Sequence, residues 1–239
     1  MHDMNNLGPR IIIWFSDKFY ITETVFWAII VAIAVIIFAL VSVRRMERDP
    51  KGAQGFAELI VEFTYKMVKD SMGKNSVAFA PFIGSLFLFL MFANALGLIG
   101  FRPVTADINA TSALAVLVFF VIQYNSIRSR GVGGYLRHFC EPYPFMLPIK
   151  VMEEFTFPLS LSFRIFGNIL AGVIIMALVF MGLGHLSEAL HLPIPLFEAV
   201  IPLPLNAFFD IFEPILQAFV FSMLTMSFVA KAIATHAEH

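Results

Sequence analysis

Four groups of polar residues interrupt an otherwise apolar chain, and their types suit the handling of charge inside a membrane. Ser160, Arg164 and Asn168 recur at i, i+4 and i+8, so on a helix they form one polar stripe. No Asp, Glu, Lys or Arg occurs from Ile165 to Ser187, which places Arg164 in a membrane-type run. An arginine at the centre of a span costs roughly 2.5–3.5 kcal/mol on the insertion scale, so one that is present is a candidate for function. The competing reading is an arginine that snorkels to the interface from a helix end. Gly167, Ala171 and Gly172 lie on or beside the stripe and are small enough to admit a neighbouring helix.

Asp210, Glu213 and Gln217 fall at i, i+3 and i+7, on one face of a helix. Carboxylates exchange protons and an amide holds water or orients a partner, so this face suits a hydrated proton path. The plainer reading leaves Asp210 and Glu213 solvated at the outer interface. Glu153 and Glu154 precede Arg164 on the same run. Asp107 and Asn109 stand at the start of another apolar segment, where Asp is also a routine helix cap.

The elements that must position these groups are membrane helices. Hydrophobic residues make up 59% of the 239, charged ones 14%, and mean hydropathy is +0.83. Soluble domains carry about 25% charged residues, so an all-α integral membrane protein is expected, as a single domain over 1–239. Residues 24–43, 76–101 and 108–127 read as upright spans. Residues 52–72 alternate apolar and charged positions at helical spacing. That pattern gives an amphipathic helix on the membrane surface or, about as well, a soluble linker helix. Residues 149–183 and 198–234 read as two longer helices, joined by a turn at 192–195. The first would measure about 52 Å against a hydrocarbon core of about 30 Å, so it must tilt strongly or kink. Pro158 is a candidate break in it, and Pro202, Pro204 and Pro214 in the second.

Lys and Arg set the orientation. Twelve lie in 44–75, 128–150 and the C-terminal tail, against three on the opposite side at Arg10, Lys18 and Arg102. Five spans then place the N-terminus outside and the C-terminus in the cytoplasm or the equivalent compartment. Glu153 and Glu154 fall on the inner side, with Ser160 beyond them. Asp107, Asn109, Asn168, Asp210, Glu213 and Gln217 form the outer group, and Arg164 lies between. A continuous polar file would dissipate the membrane potential, worth about 2.3 kcal/mol per charge per 100 mV. Two offset half-paths separated by a fixed positive charge would not, but protons then need a movable carrier from another chain.

Other chemistry is excluded or weak. Net charge is −1 and no dense basic tract exists, so nucleic acid is not an expected partner. Cys140 is the single cysteine, which rules out an internal disulfide and a multi-cysteine metal site. There is no G-x-x-x-x-G-K-[ST] loop and no H-E-x-x-H, so neither phosphoryl chemistry, a metal nor a cofactor is expected of this chain. His185 and His191 are read as interfacial residues.

Leu159-Ser-Leu-Ser-Phe-Arg-Ile-Phe-Gly-Asn-Ile-Leu-Ala-Gly172 resembles the signature of subunit a of the F-type ATP synthase membrane sector. The stretches 147–155 and 217–221 are similar to that family too, while the N-terminal half agrees mainly in layout. The resemblance implies two half-channels leading to the carboxylates of a rotating c-subunit ring, with b subunits and the rest of the ATP synthase as further partners. It implies that Arg164 attracts the deprotonated ring carboxylate and blocks a short circuit. Asn168, Asp210 and Gln217 match positions of the outer half-channel or near the arginine, Glu153 and Glu154 the acidic pair of the inner one, and Asp107 with Asn109 an outer motif. The chain departs from some members at Val173, where Glu is common, and at Asp210, where His or Glu occurs. Two readings from other classes compete: a membrane anchor or assembly subunit that conducts nothing, and a secondary transporter with an anion site at Arg164. The transporter reading expects paired halves, and no inverted repeat is visible.

Overall fold

The structure is a computed structural model and describes residues 11–16, 19–44, 52–140, 143–189 and 200–234. The turn expected at 192–195, with His191 and Glu198, lies outside the described residues.

A short antiparallel hairpin, β1 (Ile11–Ser16) with β2 (Phe19–Thr22), leads into α1 (Glu23–Val43). Thr22 caps that helix, its hydroxyl accepting from the Val25 N–H at 3.4 Å. Then come α2 (Ala53–Met72), α3 (Ala80–Ala95, with 3₁₀ turns on both flanks), α4 (Ile108–Cys140) and α5 (Leu147–Ala189). The chain closes with α6 (Pro202–Ala207), a π-helical turn at Phe208–Phe212, and α7 (Glu213–Ala234).

Among the described residues, five helical stretches are long and apolar enough to cross a bilayer: Glu23–Val43, Ser76–Ile99, Ile108–Arg137, Pro144–Ser187 and Pro202–Ile233. The chain is therefore an all-α, multi-pass membrane protein, as its apolar runs require. The hairpin is the element that the helical pattern does not announce.

The core is built where α3, α4 and α7 meet and α5 lies along α4. Leu86 and Leu90 of α3, Val118 and Ile122 of α4, Leu161 and Ile165 of α5 and Phe221 of α7 form one buried cluster. Hydroxyls reinforce the α4–α5 seam: buried Ser162 lies 3.1 Å from Thr111 Oγ1 and 2.9 Å from Ser112 Oγ. Small hydroxyl side chains of this kind let membrane helices approach while satisfying one another. The amphipathic α2 buries Met67 and Val68 against Ala80, Ile83 and Met226, leaving Phe56, Leu59 and Phe63 exposed. On α1, Ile29, Ile33, Ile36 and Leu40 stay exposed, and Val31 makes the contact to Ala93, Leu96 and Val104. Lipid tails solvate such a surface at no cost, whereas water would not.

Two irregularities shape the site. In α4, Gly131 has φ 70° and ψ 162°, a region that glycine alone occupies without strain, and the helix changes direction there. At Phe208–Phe212 the π turn interrupts the last span, at the stretch flanked by Pro204 and Pro214. Pro158, by contrast, sits inside α5 without ending it; the helix runs 43 residues, about 65 Å.

Candidate functional site

The faces of α5 divide cleanly. Leu161, Ser162 and Ile165 are buried against α4, while Ser160, Phe163, Arg164, Gly167 and Asn168 are exposed on the opposite side. The stripe of Ser160, Arg164 and Asn168 thus lies on the outward face of the bundle. Among the described residues none is hydrogen-bonded or ion-paired to Arg164. One turn on, Asn168 Nδ2 donates to Oε1 of Gln217 at 3.1 Å, and Gln217 is buried. Of the small residues beside the stripe, Gly167 faces open space, whereas Gly172 serves the chain's own packing. A Cβ on Gly172 would stand 2.9 Å from Cδ1 of Phe209, so its hydrogen is what lets the π turn rest on α5.

Beyond Arg164 a cavity of about 1120 Å³ opens between α5, the π turn and the turns following α3. Its walls are mainly apolar, from Phe166, Leu170, Val173, Phe180 and neighbours. Six polar side chains converge on it: Asn94, Arg102, Asn206, Asp210, Glu213 and Gln217. Asp210 reaches in across Gly97, with Oδ1 3.7 Å from where a Cβ on that glycine would lie. Asn94 is buried and accepts from the Thr105 hydroxyl, while its own amide nitrogen has no partner among the described residues. A buried donor of that kind demands an acceptor, and the cavity is where one fits.

Before Arg164 lies a second, smaller cavity of about 110 Å³, bounded by α4, α5 and the end of α7. Ser126, Arg130, Lys150, Glu153, Glu154 and Lys231 line it, beside Phe157 and Phe228, whose ring centroids are 3.7 Å apart. Lys231 Nζ is paired with Glu153 Oε1 at 3.1 Å, an exposed bridge. Glu154 Oε2 accepts from Gln123 Nε2 at 2.5 Å, and Gln123 Oε1 accepts from the Tyr135 hydroxyl at 2.7 Å.

Sequence spacing and structure agree unevenly. Asp210, Glu213 and Gln217 do meet at one cavity, and Asn168 joins them through Gln217. Glu153 and Glu154 share the other cavity. Asp107 is buried and caps α4, its Oδ1 accepting from the Asn109 N–H at 3.0 Å and side-chain amide at 3.1 Å. Neither of those two lines the large cavity, although the adjacent Ala106 does. Ser160 lines neither cavity. Reasoning from spacing alone misses Asn94, Gln123 and Tyr135 as site residues. For Asn94 a signal exists, since it is the lone amide of the charge-free run 76–101, whereas Gln123 shares the run 108–127 with Asn109 and Asn125.

Comparison with known proteins gives concordant results. The family model described as ATP synthase A chain matches residues 25–230. ATP synthase subunit a of Moorella thermoacetica is 32% identical over 218 residues, which cover 91% of this chain and 92% of the relative. ATP synthase subunit a of Desulforamulus reducens is 37% identical over 194 residues, covering 80% of this chain and 71% of the relative.

Proposed function

The chain belongs to the ATP synthase A chain family, and from that premise we propose that it is the proton-conducting stator of the rotary motor. In this reading two offset half-channels serve the carboxylates of a rotating c ring, and Arg164 separates them. The observation that carries it is an order along one helix. Lys150, Glu153, Glu154 and Phe157 of α5 line the small cavity, and Phe166, Ile169, Leu170 and Gly172 line the large one. Arg164 stands between these sets, and the two cavities have no lining residue in common.

Each half-channel then has a definite task. The large cavity is the outer half-channel, where Asp210 and Glu213 exchange protons with water and the Asn168–Gln217 pair borders the approach to the ring. Asp107 and Asn109 cap the start of α4 next to Ala106, which lines it. The small cavity is the inner half-channel, with Glu153 and Glu154 as its acids and Ser160 on the exposed face leading towards Arg164. A proton cannot pass Arg164 directly, because both the charge and the missing polar connection oppose it. It crosses only on a partner's carboxylate. That carboxylate, once deprotonated, supplies the counter-charge that Arg164 does not find among the described residues of its own chain, and intramembrane charges require one.

The exposed outward face of α5 is the surface for the c ring, and the apolar face of α1 is open to lipid or to the b subunits of the peripheral stalk. In this reading the complex sits in a bacterial energy-coupling membrane, and the Lys and Arg asymmetry supports a cytoplasmic C-terminus. Phosphoryl chemistry belongs to other subunits.

Arg164→Ala tests this reading in membrane vesicles that hold the assembled complex. ATP-driven proton pumping should vanish, and passive proton leak should rise once the catalytic head is stripped off. Pumping at the wild-type rate would return Arg164 to a structural role.

A further inference from the structure

We propose that Gln123 and Tyr135 are positioning residues for Glu154, forming a hydrogen-bonded clamp that leaves one carboxylate oxygen free for proton exchange in the small cavity. The inference rests on the reading of that cavity as the inner half-channel.

The clamp depends on the bend at Gly131. In a continuous helix Gln123 and Tyr135 would be separated by twelve residues, about 18 Å of rise, and their side chains would not meet. The break at Gly131, with φ 70°, turns the chain so that Tyr135 comes back on to Gln123. The Tyr135 hydroxyl donates to Gln123 Oε1 at 2.7 Å, and Gln123 Nε2 donates to Glu154 Oε2 at 2.5 Å.

The direction of this chain fixes the amide. With Oε1 held by the Tyr135 hydroxyl, the Gln123 nitrogen faces the carboxylate. The flipped amide would set its oxygen against Oε2, two acceptors in contact with no proton between them. Gln123 therefore grips Oε2 alone, and Oε1 of Glu154 is the oxygen left to take a proton from water or return it. An unrestrained glutamate would have three soft side-chain torsions to distribute over the cavity, and fixing it removes that search. Among the described residues, the charged groups that line the cavity around the carboxylate are Arg130 from α4, Lys150 and Glu153 from α5 and Lys231 from α7. Glu153 is occupied by Lys231 at 3.1 Å, so the two neighbouring acids have different partners.

The test uses the assembled complex in inverted membrane vesicles, with complex content measured for each variant. Gln123→Ala and Tyr135→Phe should each slow ATP-driven pumping about 3- to 10-fold, the factor a lost hydrogen bond of ordinary net strength gives. Glu154→Gln should slow it more, and adding Gln123→Ala to Glu154→Gln should change nothing further. The exchange of Gln123→Glu with Glu154→Gln restores a carboxylate–amide pair at the same contact and should recover pumping well above Glu154→Gln alone. Wild-type pumping in both single variants would overturn the clamp. So would an equal effect of Gln123→Ala with and without Glu154, which marks a merely structural residue, or an exchange no better than Glu154→Gln. If Gln123→Ala does not assemble, the exchange and Tyr135→Phe decide. Arg164→Ala in the same vesicles separates the two levels. Pumping that survives it sinks the half-channel reading, whereas pumping lost there but indifferent to Gln123 and Tyr135 sinks only the clamp.

Discussion

Asn168 Nδ2 and Gln217 Oε1, on α5 and α7, are joined across 3.1 Å one helical turn past Arg164. The bond ties α5 to α7 at the edge of the large cavity. Gln217 is 5% exposed, so its carbonyl has little water to turn to if Asn168 is removed. An amide left unpaired there costs about 1–3 kcal/mol, more than the net value of the bond itself. Asn168→Ala and Gln217→Ala should therefore each slow pumping, and the double variant should be no slower than the worse single one. A double-mutant cycle on pumping rate checks this, and strictly multiplicative effects would show that the bond does not couple the helices.

Asp210 and Glu213 are the acids of the large cavity among the described residues. Replacing both, Asp210→Asn with Glu213→Gln, keeps volume and hydrogen-bonding capacity but removes proton exchange. Pumping should fall by about 100-fold or more, the scale of a lost proton-transfer group, while ATP hydrolysis by the detached head is unchanged. Pumping within about twofold of wild type would remove these acids from the path.

Gly172 and Phe209 form a tight packing contact. Gly172→Ala places a methyl 2.9 Å from the Phe209 ring, so one of them must move. Overpacking of this kind costs about 1–3 kcal/mol. The thermal midpoint of the detergent-solubilised complex should drop, and Phe209→Leu in the same chain should restore part of it. No drop in Gly172→Ala would mean that the π turn yields freely.

Gly131→Ala forces a side chain into a backbone region that costs about 1–3 kcal/mol outside glycine. The bend in α4 should weaken, and pumping should decline at least as far as in Tyr135→Phe, since Tyr135 no longer reaches Gln123. Normal pumping with a normal thermal midpoint would show the bend to be independent of Gly131.

The range of each interaction decides how much of it is legible in the sequence. Runs such as residues 24–43 declare themselves because lipid demands about twenty apolar residues in succession. The acids Asp210 and Glu213 declare themselves because charges in such runs are costly. Helical spacing also puts Ser160, Arg164 and Asn168 on one face correctly, but spacing says nothing about which way that face looks. The structure turns it outward and lets Gly172, not Gly167, receive a neighbour. The Tyr135–Gln123–Glu154 chain is hidden for another reason. It joins three positions through a backbone bend whose angle no periodicity encodes. Pairings between elements, such as Asn168 with Gln217, are set by packing and remain invisible to any local pattern.

The π turn at Phe208–Phe212 has one residue more than the α period needs. The segment leading into it is therefore rotated by about 100° relative to the helix leading out, the angle of a single helical step. Asp210 sits within that surplus, while Glu213 and Gln217 sit in the regular helix after it. Deleting one residue between 208 and 212 would leave Glu213 and Gln217 where they are and swing Asn206 and Pro204 round the axis. A relative with a plain α-helix in this place would present a different side chain towards Gly97, whatever residue stands in the matching column of an alignment.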